Sequence, residues 1–171
     1  MKKSIAKITI RPQSVRDAKR FFDILSNPNF IYFTGKPKSV EDEIAFLKTN
    51  PRLRKKNIEW NYSILVDGYV VGAVGIKINQ QRPFIGEIGY FLDEAYWNRG
   101  IATEAVKLAE KEGFGKLGLS RIEIVMQPEN VASEKVAIKA GYHREGLMRR
   151  SIRGVDGKTK DACLYAKIKE N

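Results

Sequence analysis

One cysteine and one histidine among 171 residues exclude several chemistries at once. Cys163 has no partner in the chain, so no internal disulfide forms and no oxidising compartment is indicated. With only His143 beside it, soft ligands are too few for a structural zinc site, and no metal is expected. No apolar run approaches the roughly 20 residues that span a bilayer, so no membrane partner is expected. The opening "MKKSIAKITIRP" is basic but lacks an apolar stretch and a small-residue cleavage site. It predicts no signal peptide, and a cytoplasmic location is expected. Internal repeats, low-complexity tracts and linkers are missing as well. No G-x-G-x-x-G follows a strand, which argues against a dinucleotide fold. "GKT" at 157–159 is not a phosphate loop, because Ile152 stands where the first glycine belongs.

Acidic residues are the scarcer sign. The 31 Lys and Arg against 20 Asp and Glu leave a net charge of +11. A field of that sign attracts polyanions: nucleic acid, a ribosome, anionic lipid or a phosphorylated cofactor. The densest runs, "PRLRKKN" at 51–57 and "RRSIRG" at 149–154, read as solvated faces or as contacts to such a partner. Neither is interleaved with the aromatics of an RNA-binding sheet. A hydrophobic content of 43% at this length suits one globular domain over residues 1–171.

The periodicity predicts a mixed α/β domain. "AKITIRP" alternates as a first strand ended by Pro12. "SVRDAKRFFDIL" starts a helix, with Ser14 as N-cap and Asp17 at the capping-box position. "SVEDEIAFLKTN" repeats the signature from Ser39, with three acids in its first turn. "IEWNYSILV" and "YVVGAVGIKI" flank Asp67-Gly68, a strong hairpin signal. "FIGEIGYFL" is the next strand. A helix from Ile101 to Lys116, the strand "SRIEIVMQ", a short helix capped by Asn130 and closed by Gly141, and two final strands complete the chain. The order is β-α-α-β-β-β-α-β-α-β-β around one mixed, mostly antiparallel sheet flanked by helices.

Gly100 stands where a helix is about to start. It is either the hinge of a turn or a place where the backbone approaches a ligand closely. A helix N-terminus carries orphan amides and a positive dipole end. With side chains kept away, the amides of Asn98, Arg99, Gly100, Ile101, Ala102 and Thr103 can face one anion such as a pyrophosphate.

Three blocks in order decide between these readings: "EIGYFLDEAYWNRGIATEAV", "NVASEKVAIKAGYHREG" and "GKTKDACLY". With them the chain resembles the GNAT superfamily of N-acetyltransferases over nearly its whole length. Within it, the chain is similar to the RimJ/RimL branch of protein N-terminal acetyltransferases. The resemblance implies acetyl-coenzyme A as cosubstrate. The family signature Q/R-x-x-G-x-G/A is matched at Gly100 and Ala102, while Trp97 replaces the first Gln/Arg and removes one side-chain contact. It further implies that the strand segment Tyr90, Phe91 and Leu92 lends backbone groups to the pantetheine arm and acetyl carbonyl, and that Asn130 contacts the pantetheine.

Acetyl transfer from a thioester to an amine needs a neutral amine, a held oxyanion and a proton for the leaving thiolate, but no protein nucleophile. Glu87 is the candidate base: it sits in an otherwise apolar strand, where desolvation would raise its pKa. It could equally be an outward-facing strand residue. The tyrosine that many family members carry seven residues after the asparagine is here Ala137. Ser133 stands where the RimL type has a serine thought to assist the thiolate. Tyr142 and Tyr165 could also reach the site, whereas His143 and Cys163 read as ordinary residues.

The family's acceptor site is shaped by the first two helices, which puts Phe30, Tyr32 and Phe33 at its border or, equally, in the packing of the helix connection. An α-amine, at a pKa of about 7.7–8.0, is far more often neutral than a lysine at about 10.4. The acceptor is therefore expected to be a protein or peptide N-terminus, possibly ribosome-associated. Small-molecule amines remain the alternative: spermidine, an amino acid, an antibiotic or a peptide toxin. A non-catalytic module binding coenzyme A or nucleic acid is a further one. The chain is expected to act as a monomer or homodimer.

Overall fold

The computed structural model describes residues 7–170; residues 1–6, part of the opening segment read above, and residue 171 lie outside them. The strands are β1 (Ile8–Pro12), β2 (Glu59–Val66), β3 (Tyr69–Ile78), β4 (Ile85–Leu92), β5 (Arg121–Met126), β6 (His143–Arg153) and β7 (Thr159–Ile168). The helices are α1 (Ala18–Leu25), α2 (Val40–Lys55), α3 (Ile101–Phe114) and α4 (Val131–Lys139). The order matches the expectation from periodicity. The strands form one sheet in the order β1-β2-β3-β4-β5-β7-β6. Every neighbouring pair is antiparallel except β4 and β5. No helix among the described residues is long and apolar enough to cross a membrane.

Local chemistry explains where the elements begin. Asp67 and Gly68 both take left-handed backbone, φ 49° and 86°, as a two-residue hairpin that follows the twist of β2 and β3 requires. Ser39 Oγ accepts from the amide of Asp42 at 3.1 Å and opens α2. The capping box of Ser14 and Asp17 forms, but it opens a short 3-10 turn, Val15–Asp17, and the α-helix begins only at Ala18. The Asp17 carboxylate is also held by Arg11 and by the Ser63 hydroxyl at 2.7 Å, which ties this turn to β1 and β2.

Two helix ends depart from the sequence reading. Expected to stop near Asn50, α2 runs through Pro51 to Lys55. Proline lacks the amide that would bond back along the helix. The next turn is nevertheless held, because the Arg54 guanidinium lies 5.1 Å from the Trp60 ring and 5.6 Å from the Tyr62 ring. The basic run at 51–57 is thus largely the end of a helix. α3 stops at Phe114 rather than Lys116, where Gly113 and Gly115 weaken it and Leu119 turns back into the core.

Helices α1 and α2 cover one face of the sheet through Ala18, Phe21 and Leu47, which pack on Ala73. The other face carries α3 and α4, whose Ile101, Ala105, Val106, Ala109 and Ala137 pack with Ile76, Ile88, Ile122 and Ile124. On the α1/α2 side, Glu87 and Gly89 of β4 are exposed.

Candidate active site

The parallel pair β4 and β5 is joined only at Ile85–Arg121, Gly86–Ile122 and Glu87–Glu123. Beyond Glu87, β4 continues paired to β3 as far as Leu92, and β5 continues paired to β7 as far as Met126. The two strands part, and their facing backbone edges are left open over the stretch that contains Gly89 and Tyr90. An added Cβ at Gly89 would meet nothing within 4 Å. An extended ligand arm with amide groups can complete such an edge as a further strand would.

At the end of β4 the chain turns through Asp93, whose carboxylate accepts from the Ala95 amide at 3.0 Å, and enters α3. Asn98 and Gly100 are both left-handed, with φ 58° and 76°. Gly100 occupies the N-cap position without any side-chain cap. Among the described residues, none of the amides from Asn98 to Thr103 has a hydrogen-bond acceptor in the protein. An added Cβ at Gly100 would also project into open space, with nothing within 4 Å. Six free amides around an empty concavity at a positive helix end fit a pyrophosphate. The Arg99 guanidinium rests 5.1 Å from the Tyr96 ring, close enough to add its charge.

Trp97, the departure from the family signature, has a structural task. Its indole N–H donates to the Leu92 carbonyl at 2.7 Å, and its ring packs edge-on to Phe30 at 5.8 Å. The Leu92 carbonyl is therefore engaged within the protein, which leaves Tyr90 and Phe91 as the backbone positions free to meet a ligand. The Phe91 side chain points away from α3, into a cluster with Phe21 at 5.5 Å and Phe33 at 5.3 Å.

On the α3/α4 side, Asn130 Oδ1 accepts from the Ser133 amide at 3.1 Å and caps α4. The Ser133 hydroxyl lies 2.9 Å from the Tyr90 hydroxyl. Burial pushes the Tyr90 phenol up to about 12, while the bond to Ser133 opposes this. The sequence reading assigned Tyr90 through its backbone and missed this side-chain pairing. The available signal was alternation, which sends Tyr90 to the face opposite Glu87, together with the alanine at position 137.

Tyr142 and Tyr165 are both buried on this side. The Tyr165 hydroxyl donates to Glu134 at 2.5 Å, and this bond, with burial, pushes its pKa up to about 12. The Tyr142 hydroxyl has no partner, and burial with Glu110 nearby raises its pKa further.

On the opposite face Glu87 stands between Lys77 and Glu123 across its two neighbouring strands. Crowding of its carboxyl by protein raises its pKa above the ordinary glutamate value; Lys77 opposes this and Glu123 adds to it. Glu123 is itself bonded by Arg121 at 2.6 Å.

The helix connection closes the end of this face. Phe30 is buried against Ile24, Leu25, Phe91 and Trp97, so packing claims most of its surface. Tyr32 and Phe33 are half-buried. The Tyr32 hydroxyl donates to the Glu129 carbonyl at 3.1 Å, which bridges the α1–α2 connection to the β5–α4 turn. A cleft of about 330 Å³ is lined here by Pro28, Phe30, Phe33, Lys36 and Val155 of the β6–β7 loop, among others. Among the described residues, no group of three or more His, Cys, Asp or Glu is placed to hold a metal ion.

Comparison with known proteins agrees with this geometry. The model of the Acetyltransferase (GNAT) domain family matches residues 7–143. The N-acetyltransferase YnaD of Bacillus subtilis is 39% identical over 151 residues, covering 85% of each chain. The ribosomal-protein-serine acetyltransferase of Escherichia coli is 24% identical over 131 residues, covering 77% of this chain and 73% of that one. The structure of Mycobacterium smegmatis RimJ in complex with CoA-disulfide superposes with a TM-score of 0.85 at 26% identity, covering 94% of this chain and 81% of the other. A parted parallel strand pair leading into a bare helix N-terminus, found within a family match of this extent, makes the chain a member of the GNAT family and an acetyl-coenzyme A-dependent N-acetyltransferase.

Proposed function

We propose that the acceptor is the α-amine at the N-terminus of a protein or peptide. The observation that carries this is the openness of the Glu87 face: Glu87 and Gly89 lie exposed beside the parted strands. An open face admits a chain end with more polypeptide behind it. The relative named for ribosomal-protein serine supports the same substrate class.

Acetyl-coenzyme A supplies the acetyl group as an already activated thioester. Its pyrophosphate is assigned to the amides of Asn98 to Thr103 with Arg99, and its pantetheine arm to the open edge at Tyr90 and Phe91 and to Asn130. Glu87 and Tyr90 face opposite sides of β4, so acceptor and coenzyme approach from opposite faces and meet where β4 and β5 part. Glu87 attracts the incoming ammonium and takes its proton; a raised pKa suits a base working near neutrality. The Ser133 hydroxyl gives a proton to the departing sulfur. Tyr90 is a positioning residue that orients the Ser133 hydroxyl through their 2.9 Å contact. Phe33 and Tyr32 border the acceptor mouth, and Phe30 braces it from within.

The test is acetyl transfer to short peptides with free and with blocked N-termini, beside spermidine and free lysine. Free-N-terminus peptides are expected to be turned over fastest, and blocked ones not at all. Faster turnover of spermidine than of every free-N-terminus peptide overturns the substrate assignment.

A further inference from the structure

The basic run at 149–154 is not used by acetyl transfer, and it sits beside the acceptor cleft. Residues Met148 to Ile152 of β6 leave the regular ladder with β7 in a bulge. Arg150 lies in that bulge with left-handed backbone, φ 49°, an uncommon conformation for a residue with a side chain. It is pinned there, since its amide donates to Asp161 at 2.8 Å and the Ser151 hydroxyl donates to the Met148 carbonyl at 3.1 Å.

The side chains of Arg149, Arg150 and Arg153 are exposed, and none makes an ion pair. Arg153 bonds only the Gly157 carbonyl at 2.9 Å. Five residues beyond Arg150, Val155 lines the cleft, and exposed Lys36 lines it from the other side. At about 3.3 Å per residue, these cations lie within roughly 17 Å of the cleft, the span of the first few residues of an extended peptide.

The floor has the opposite sign. Glu87 and Glu123 stand side by side on β4 and β5, where the strands begin to part. An acidic floor inside a basic rim is a dipolar pattern. It matches a ligand whose leading end is positive and whose next few residues are negative. A polyamine carries only the first feature.

We propose that the enzyme selects polypeptide acceptors with acidic side chains close behind the N-terminal residue, read by Arg149, Arg150, Arg153 and Lys36. This rests on the N-terminal α-amine reading above. Steady-state kcat/KM is measured with the intact protein and saturating acetyl-coenzyme A on three peptides. They share one N-terminal residue and carry Glu, Gln or Lys at positions two to six.

The Glu peptide is expected to exceed the Gln peptide by about tenfold at low salt, as several exposed ion pairs together supply. The Lys peptide should fall below both. Because exposed charges are screened over about 10 Å at 0.1 M salt, the preference should shrink as salt rises. The ratio should also collapse toward one in an Arg149→Gln/Arg150→Gln/Arg153→Gln variant. Equal kcat/KM for the Glu and Gln peptides, or a preference that survives in the triple variant, overturns the charge reading while N-terminal acetylation stands. If no free-N-terminus peptide of any charge is acetylated, the underlying substrate assignment falls, and this inference with it.

Discussion

Glu87 and Tyr90 stand three positions apart on β4 and therefore on opposite faces of the sheet. One is poised to accept a proton and the other to orient a hydroxyl that gives one. Replacing Glu87 by Gln should lower kcat/KM by about 10²–10⁴-fold, the usual cost of a lost acid or base. Glutamate acts as base only above its pKa, and that pKa is raised here. The acidic limb of the wild-type kcat/KM profile should thus lie above the ordinary glutamate range and vanish in Glu87→Gln. A limb unchanged in the variant would assign the proton to another group. Tyr90 acts through Ser133, so the two side chains should couple. Tyr90→Phe should lower kcat with little change in coenzyme affinity, and Tyr90→Phe/Ser133→Ala should be no slower than Ser133→Ala alone. Fully additive losses would show that Tyr90 acts independently of Ser133.

At the scale of elements, legibility followed sequence separation. The Asp67-Gly68 hairpin, the Ser39 cap and the turn before Gly100 each depend on neighbours within a few residues, and each could be read from the chain. The run of α2 past Pro51 depends on Arg54 reaching Trp60 and Tyr62 on the next strand. The pairing of Tyr90 with Ser133 spans 43 residues, so no local pattern announces it. The open face around Glu87 depends on which strands α1 and α2 cover, and single-strand periodicity does not contain that. Asp17 is the clearest case of a local signal with a long-range use. It completes the Ser14 capping box, yet it also joins β1 through Arg11 and β2 through Ser63. Burial alone would raise its pKa, but the bonds from Arg11, Ser63 and the Ser14 amide together lower it. A depressed carboxylate stabilises the fold above its ordinary pKa and loses that contribution as pH falls through the folded value. Asp17→Asn should therefore cost about 1.5–3 kcal/mol at pH 7, the range for hydrogen bonds to a charged group. The difference from wild type should narrow below the ordinary value of 3.8. Urea titrations at pH 7 and pH 3 measure both, and an equal difference at the two values would place the stabilisation elsewhere.

Over the whole molecule, a net charge of +11 raises a question about coenzyme binding. An anionic ligand could be gathered by the general field or held by the amides of one cradle. The two differ in range. The field is screened to about 3 Å at 1 M salt, whereas amide hydrogen bonds act at contact distance. A ligand at 100 times its Kd stabilises the fold by about 2.7 kcal/mol. For a chain of this size each kcal/mol moves Tm by about 2–4 °C. Coenzyme A should thus raise Tm by roughly 5–10 °C, and much of the shift should survive 1 M salt once the ligand is raised to the same multiple of Kd. The decisive comparison uses two glycines with left-handed backbone and open surroundings: Gly100 at φ 76° in the cradle and Gly118 at φ 66° in the turn after α3. Valine at either position carries a similar backbone penalty, about 1–2 kcal/mol, so both variants should melt somewhat lower than wild type. Only Gly100→Val places a side chain among the free amides, so it alone should lose the coenzyme-induced shift. Retention of that shift in a folded Gly100→Val protein would move the pyrophosphate away from the start of α3.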